Sequence, residues 1–156
     1  MTADLSALPA SVVVDASVAV KWLLTEPYSA EALKLLSGDT ALHAPDLLLS
    51  EVGNILWKRV RKSEITADKA RELLEWLIAL PLELHTSSPL MLAALEIACQ
   101  YDRTVYDSLY IALAVREKTV LVTADEKPQI ALSNTPLLLS LLFVQTLSPV
   151  KNPGPL

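Results

Sequence analysis

Short apolar runs alternate with longer amphipathic ones along this chain. Val12, Val13 and Val14 in succession predict a buried strand over residues 11–15, and residues 16–24 follow as a helix that Asp15 can cap. Pro27 opens a second helical stretch, 28–37, which stops at Gly38. Residues 41–43 read as a brief strand, and Pro45-Asp46 signals the start of a long helix reaching Lys62. Thr66 begins a helix that Pro81 ends. Residues 82–85 have the alternation of a strand, and Ser88-Pro89 starts a helix running to Tyr101. Residues 105–115 form a helix that is apolar almost all round, which places it centrally. Residues 119–123 are a buried strand, Thr123-Ala124-Asp125-Glu126 is a helix entry, and 136–144 should hold the last strand. Strands separated by helices, beyond hairpin distance, imply a three-layer α/β/α fold with a mostly parallel central sheet.

Composition narrows this picture. With 156 residues and an apolar fraction of 52%, the chain suits one domain over 1–147, followed by a loose tail, 148–156, that holds three prolines and a glycine. The longest apolar run, 136–147, is broken by Ser140 and Gln145 and is short of the roughly 20 residues a bilayer requires. Residues 1–10 hold Asp4 and no Lys or Arg, unlike a secretory signal, so the expected location is cytoplasmic with no membrane association. A single cysteine, Cys99, has no partner for an internal disulfide, and its neighbours Ala94, Leu95, Ile97 and Ala98 predict a reduced core residue. A net charge of −5 argues against coating nucleic acid by electrostatics alone, although two bound divalent cations would offset most of it.

Four carboxylates carry the candidate chemistry. Asp15 stands at the carboxyl end of the first strand, where ligands bind in open parallel sheets, and Ser17 is placed to orient it. Glu51 falls within the stripe of Leu48, Val52, Ile55 and Leu56, where a solvated charge is not expected, and Asn54 is a candidate partner for it or for a metal-bound water. Asp107 follows Thr104 at capping-box spacing but leads into the most apolar helix. Asp125 follows the last clear strand, and the capping box there uses Glu126 instead. Capping is a sufficient local reading of Asp15 and Asp107, whereas Asp125 is left unassigned by its box and Glu51 has only the lesser reading of a residue at the edge of its stripe. Oxygen ligands of this kind suit Mg²⁺, which polarises phosphoryl groups and generates hydroxide from water. His43 and His85 look like lone residues at strand ends, structural rather than zinc ligands. Lys58, Arg59, Arg61 and Lys62 can grip phosphates or merely complement a helix C-terminus, and Trp22, Trp57 and Trp76 can stack on bases but suit core or interface positions better.

The segments Val13-Val14-Asp15-Ala16-Ser17, Leu49-Ser50-Glu51-Val52-Gly53-Asn54-Ile55-Leu56, Val105-Tyr106-Asp107-Ser108-Leu109-Tyr110-Ile111-Ala112-Leu113-Ala114 and Val122-Thr123-Ala124-Asp125-Glu126 together resemble the PIN-domain ribonucleases, above all the VapC-type toxins of toxin–antitoxin pairs. The resemblance spans about residues 11–145 and keeps the family's order of acidic motifs. It implies a parallel sheet with helices on both faces and an endoribonuclease dependent on Mg²⁺ or Mn²⁺. It also implies a homodimer and inhibition by a small antitoxin. Under it Asp15 and Asp107 are the first-choice metal ligands, Glu51 and Asp125 complete the pocket, and Thr123 assists. The chain departs from the pattern at Pro128, where the family usually has an aromatic residue. Other readings of the same acids are a PIN-like nuclease of RNA maturation and an inactive binding module. A phosphoaspartyl hydrolase is disfavoured, because Asp15-Ala16-Ser17 lacks a second aspartate two residues on.

Overall fold

The computed structural model describes residues 8–125, 141–143 and 147. Five strands form one parallel sheet: β1 (Ser11–Val14), β2 (Ala41–Pro45), β3 (Leu82–His85), β4 (Val120–Thr123) and β5 (Leu141–Phe143). Their order is β3-β2-β1-β4-β5. The chain therefore builds outward from β1 in one direction, then returns to add β4 and β5 on the other side. The strand order changes direction at β1, which places a crevice at the carboxyl ends of β1 and β4.

The helices are α1 (Ala16–Leu23), α2 (Ser29–Leu33), α3 (Leu47–Arg61), α4 (Ala67–Ala79), α5 (Met91–Tyr101) and α6 (Val105–Arg116). One layer is α6 packed on β1, β2 and β4 with α5 outside it; the other is α1 and α3 with α2 and α4. The layered α/β/α architecture expected from the alternation of strands and helices is present. Val12, Val13 and Val14 are fully buried because β1 is covered on both faces, as is α6 from Ser108 to Ala114. The last strand falls within the expected 136–144 window. Pro128, Glu126 and the 148–156 tail lie outside the described residues.

Three local expectations change. The helix expected over 28–37 splits, because Tyr28 takes a left-handed conformation (φ 66°) and a 3-10 turn, Lys34–Leu36, replaces its second half. Pro45 closes β2 instead of opening α3, and Asp46 makes no side-chain cap; its carboxylate takes the Ser87 hydroxyl. Cys99 is exposed, not core, since α5 buries Ala94 and Ala98 and the next residue lies about 100° further round the helix.

Candidate active site

Asp15 is the first residue past β1 and the N-cap of α1. Its Oδ1 accepts the Val18 N–H at 3.2 Å and the Ser17 hydroxyl at 2.5 Å. Asp15 thus both caps α1 and lines the cleft described below. Ser17 Oγ in turn accepts the Ala124 N–H at 2.9 Å and sits 3.4 Å from Thr123 Oγ1, which accepts the Asp125 N–H at 3.1 Å. These hydroxyls tie the end of β1 to the end of β4 across the crevice. Ser17 and Thr123, both expected beside the acids, meet in that chain of contacts.

Glu51 projects from α3 between the levels of Leu48 and Ile55 and accepts the Tyr110 hydroxyl at 2.9 Å. Tyr110 lies one turn after Asp107 on α6, so the two share a helix face. Thr104 caps α6 by accepting the Asp107 N–H at 3.1 Å, and the Asp107 carboxylate takes Arg103 Nη2 at 3.1 Å. Arg103 is 9% exposed while Asp107 is 49% exposed, so a buried cation steadies a carboxylate that faces solvent. Asp15, Ser17, Glu51, Asp107, Tyr110 and Asp125 line one cleft of about 210 Å³, floored by Ile55, Ile111 and Leu121. All four acids converge.

Convergence perturbs ionisation. Burial pushes the Asp15 carboxyl above its ordinary range, against hydrogen bonds from Ser17, Thr123 and the Val18 N–H that favour the anion. Glu51 is raised too, first by burial; the Tyr110 bond opposes this, and the charges of Asp15 and Asp107 add to it. Tyr110 is held strongly protonated by its burial and by Glu51 beside it. The cleft thus favours an added positive charge. Its donors are carboxylate and hydroxyl oxygens with no imidazole or thiol, a set suited to Mg²⁺ or Mn²⁺.

Other parts of the site differ in detail from the sequence-based picture. Asn54 is exposed and lines, together with Glu51, Asp107, Thr104 and Tyr106, an open depression beside the cleft, while the side chain hydrogen-bonded to Glu51 is Tyr110. Sequence reasoning missed Tyr110, although its spacing of three from Asp107 on an apolar helix is a usable signal. His43 and His85 are not lone residues: their rings meet at 2.9 Å. Of the basic cluster, Arg59 is engaged by Glu26 and Glu64, and Lys58 begins about 10 Å along α3 from Glu51. Trp22 is buried with its Nε1–H on Ala32 O, whereas Trp57 is 53% exposed under Arg61.

An acidic cleft at the carboxyl edge of a parallel sheet, where the strand order reverses, defines a class of α/β proteins that bind polar ligands between two strand ends. Residues 12–132 match the PIN domain, and the chain belongs to the PIN-domain family. It is 34% identical over 117 residues to Ribonuclease VapC3 of Pyrobaculum aerophilum, covering 74% of this chain and 89% of that protein. The crystal structure of PAE2754 from Pyrobaculum aerophilum superposes with a TM-score of 0.64 at 25% identity, covering 87% of this chain and 85% of that one. A toxin–antitoxin complex from Klebsiella pneumoniae contains a chain of the same fold, with a TM-score of 0.58 at 11% identity over 85% of this chain and 97% of that one.

Proposed function

We propose that this protein is a divalent-metal-dependent endoribonuclease, hydrolysing RNA phosphodiester bonds as the toxin of a type II toxin–antitoxin pair. The observation that carries the proposal is the convergence of Asp15, Glu51, Asp107 and Asp125, from four separate elements, on one cleft. The ribonuclease identity of the Pyrobaculum relative and the fold shared with a toxin–antitoxin complex support it.

In this reading Asp15 and Asp107 hold Mg²⁺ or Mn²⁺ directly, with Glu51 and Asp125 completing the pocket. The bound cation supplies charge neutralisation and Lewis acidity at the scissile phosphoryl group. The chain's own residues set the geometry. Ser17 fixes the Asp15 carboxylate by its short hydrogen bond, Tyr110 holds Glu51, and Arg103 holds Asp107. Ile55, Ile111 and Leu121 keep the base of the cleft apolar, which strengthens every charge interaction above it. Without a cation the four acids would repel a phosphate, so the charge a cation would supply is what makes the cleft accessible to RNA.

The proposed partners are RNA, a small antitoxin and a second copy of the chain, in the cytoplasm. Among the described residues no helix is long and apolar enough to cross a membrane. Leu92 at 78%, Leu95 at 49% and Tyr106 at 64% exposure leave apolar surface on the α5–α6 side, which supports an interface there.

The purified chain should cleave RNA with Mg²⁺ or Mn²⁺, stop on addition of chelator, and lose activity in Asp107→Asn while staying folded. Cleavage that persists in Asp107→Asn defeats the proposal. Expression should arrest growth, and a short protein encoded beside it should relieve the arrest; cleavage without arrest would mark a nuclease of RNA maturation instead.

A further inference from the structure

A second cluster of ligand atoms lies at the other end of α6. Asp107 and Arg116 stand near the two ends of that helix, about 13 Å apart along its axis, and Arg116 Nη2 reaches His85 Nδ1 at 2.9 Å. His43 on β2 and Glu83 on β3 are register partners, and His85 points to the same face as Glu83 because alternate strand residues do. His43 Nδ1 is 2.9 Å from His85 Nε2. The Glu83 carboxylate stands 3.5 Å from the first nitrogen and 3.6 Å from the second.

We propose that His43, Glu83 and His85 form a binding site for a zinc-class divalent cation, separate from the acidic cleft. A tetrahedral ion with bonds of about 2.0–2.1 Å holds its ligand atoms roughly 3.3 Å apart; the two nitrogens are 2.9 Å apart, and each faces one of the two Glu83 oxygens, Oε2 at 3.5 Å and Oε1 at 3.6 Å, so a small turn of the carboxylate brings one oxygen to both. Two imidazole nitrogens and one carboxylate oxygen are a zinc ligand set, which the all-oxygen cleft is not. The nitrogens are preorganised, since the imidazole side chains are only 12% and 14% exposed. Glu83, 65% exposed, is the solvent-facing third ligand, which would leave a fourth position open to water.

The hydrogen bonding defines what the ion replaces. Arg116 donates to His85 Nδ1, so the His85 proton is on Nε2 and is donated to His43 Nδ1. A cation takes the place of that proton between the rings, and the proton moves to His85 Nδ1. Arg116, 40% exposed and held through Nε by Glu117 at 2.9 Å, would then release His85 and turn Nη2 to solvent. The bound ion would clamp β3, which among the described strands pairs with β2 alone, to that neighbour.

The test is calorimetric titration of Zn²⁺ into metal-stripped full-length protein carrying Asp15→Asn and Asp107→Asn, which removes the cleft's own affinity for zinc. One ion should bind per chain, and adding His43→Ala, His85→Ala or Glu83→Ala should each weaken it by about tenfold or more. Glu83 is exposed, so loss of folding does not explain its variant. Co²⁺ in place of Zn²⁺ should give the visible absorption of a tetrahedral nitrogen-ligated ion. Absence of zinc binding, or affinity unchanged by both Glu83→Ala and His85→Ala, overturns the proposal. Because the cleft acids are already removed, failure here and failure of Mg²⁺-dependent RNA cleavage are separate results.

Discussion

Tyr110→Phe removes one hydroxyl and leaves the ring's packing in place, so it isolates the hydrogen bond to Glu51. Tyr110 is 3% exposed, and its Oη–H lies 2.9 Å from the Glu51 carboxylate. A hydrogen bond to a charged group contributes about 1.5–3 kcal/mol. Glu51 is only partly buried and cleft water can replace part of the bond, which brings the expected loss to about 1–2 kcal/mol. For a chain of this size that is a fall in Tm of roughly 2–8 °C. The pH dependence has a definite sign. The Tyr110 bond favours ionised Glu51 and lowers its folded-state pKa, so its contribution is present at neutral pH and lost as pH falls through the Glu51 value. That value is itself raised by burial above the ordinary 4.5, so at pH 4.5 the effect should have fallen toward that of a neutral hydrogen bond. Urea denaturation of metal-stripped wild type and variant at both pH values measures the difference. With Glu51→Gln as background the bond is neutral, and the effect of Tyr110→Phe should shrink to about 0.5–1.5 kcal/mol. Equal stability of the two proteins at neutral pH would refute the role assigned to Tyr110.

Asp15→Asn keeps the α1 cap, since asparagine caps as well as aspartate. Because burial raises the folded-state pKa of Asp15 above 3.8, its ionised form lowers stability at neutral pH; without metal the variant should therefore melt higher than wild type. That gap should close as pH falls through the raised value, and Mg²⁺ should stabilise wild type more than the variant; a metal-free variant that melts lower at neutral pH contradicts the electrostatic account. Leu113→Ala, at a fully buried position of α6, should lose about 2–5 kcal/mol in urea titration, and a loss well under that range would mean α6 is not the packing centre.

The layered fold was legible because its period signals were strong: the valine run of β1, the stripe of α3 and the all-round apolar α6 each name both an element and its burial. The acids were legible for a related reason. Glu51 breaks an apolar stripe, and Asp15, Asp107 and Asp125 stand at element boundaries, where position along the chain maps directly onto position in a parallel sheet. The α2 region was less so, since a left-handed Tyr28 leaves no mark in hydrophobic periodicity. Cys99 was misplaced because α5 is apolar on several sides, and its pattern does not say which side another helix covers.

What the sequence determined alone was local: which segments are strands or helices, which carry acids, and in what order. Only the tertiary structure decided which distant side chains touch. It joined Tyr110 to Glu51, Ser17 to the end of β4, and His43 to His85, pairs separated by 59, 107 and 42 residues. Such contacts depend on strand order and register, and these follow from the packing of all the layers at once, which no single segment encodes.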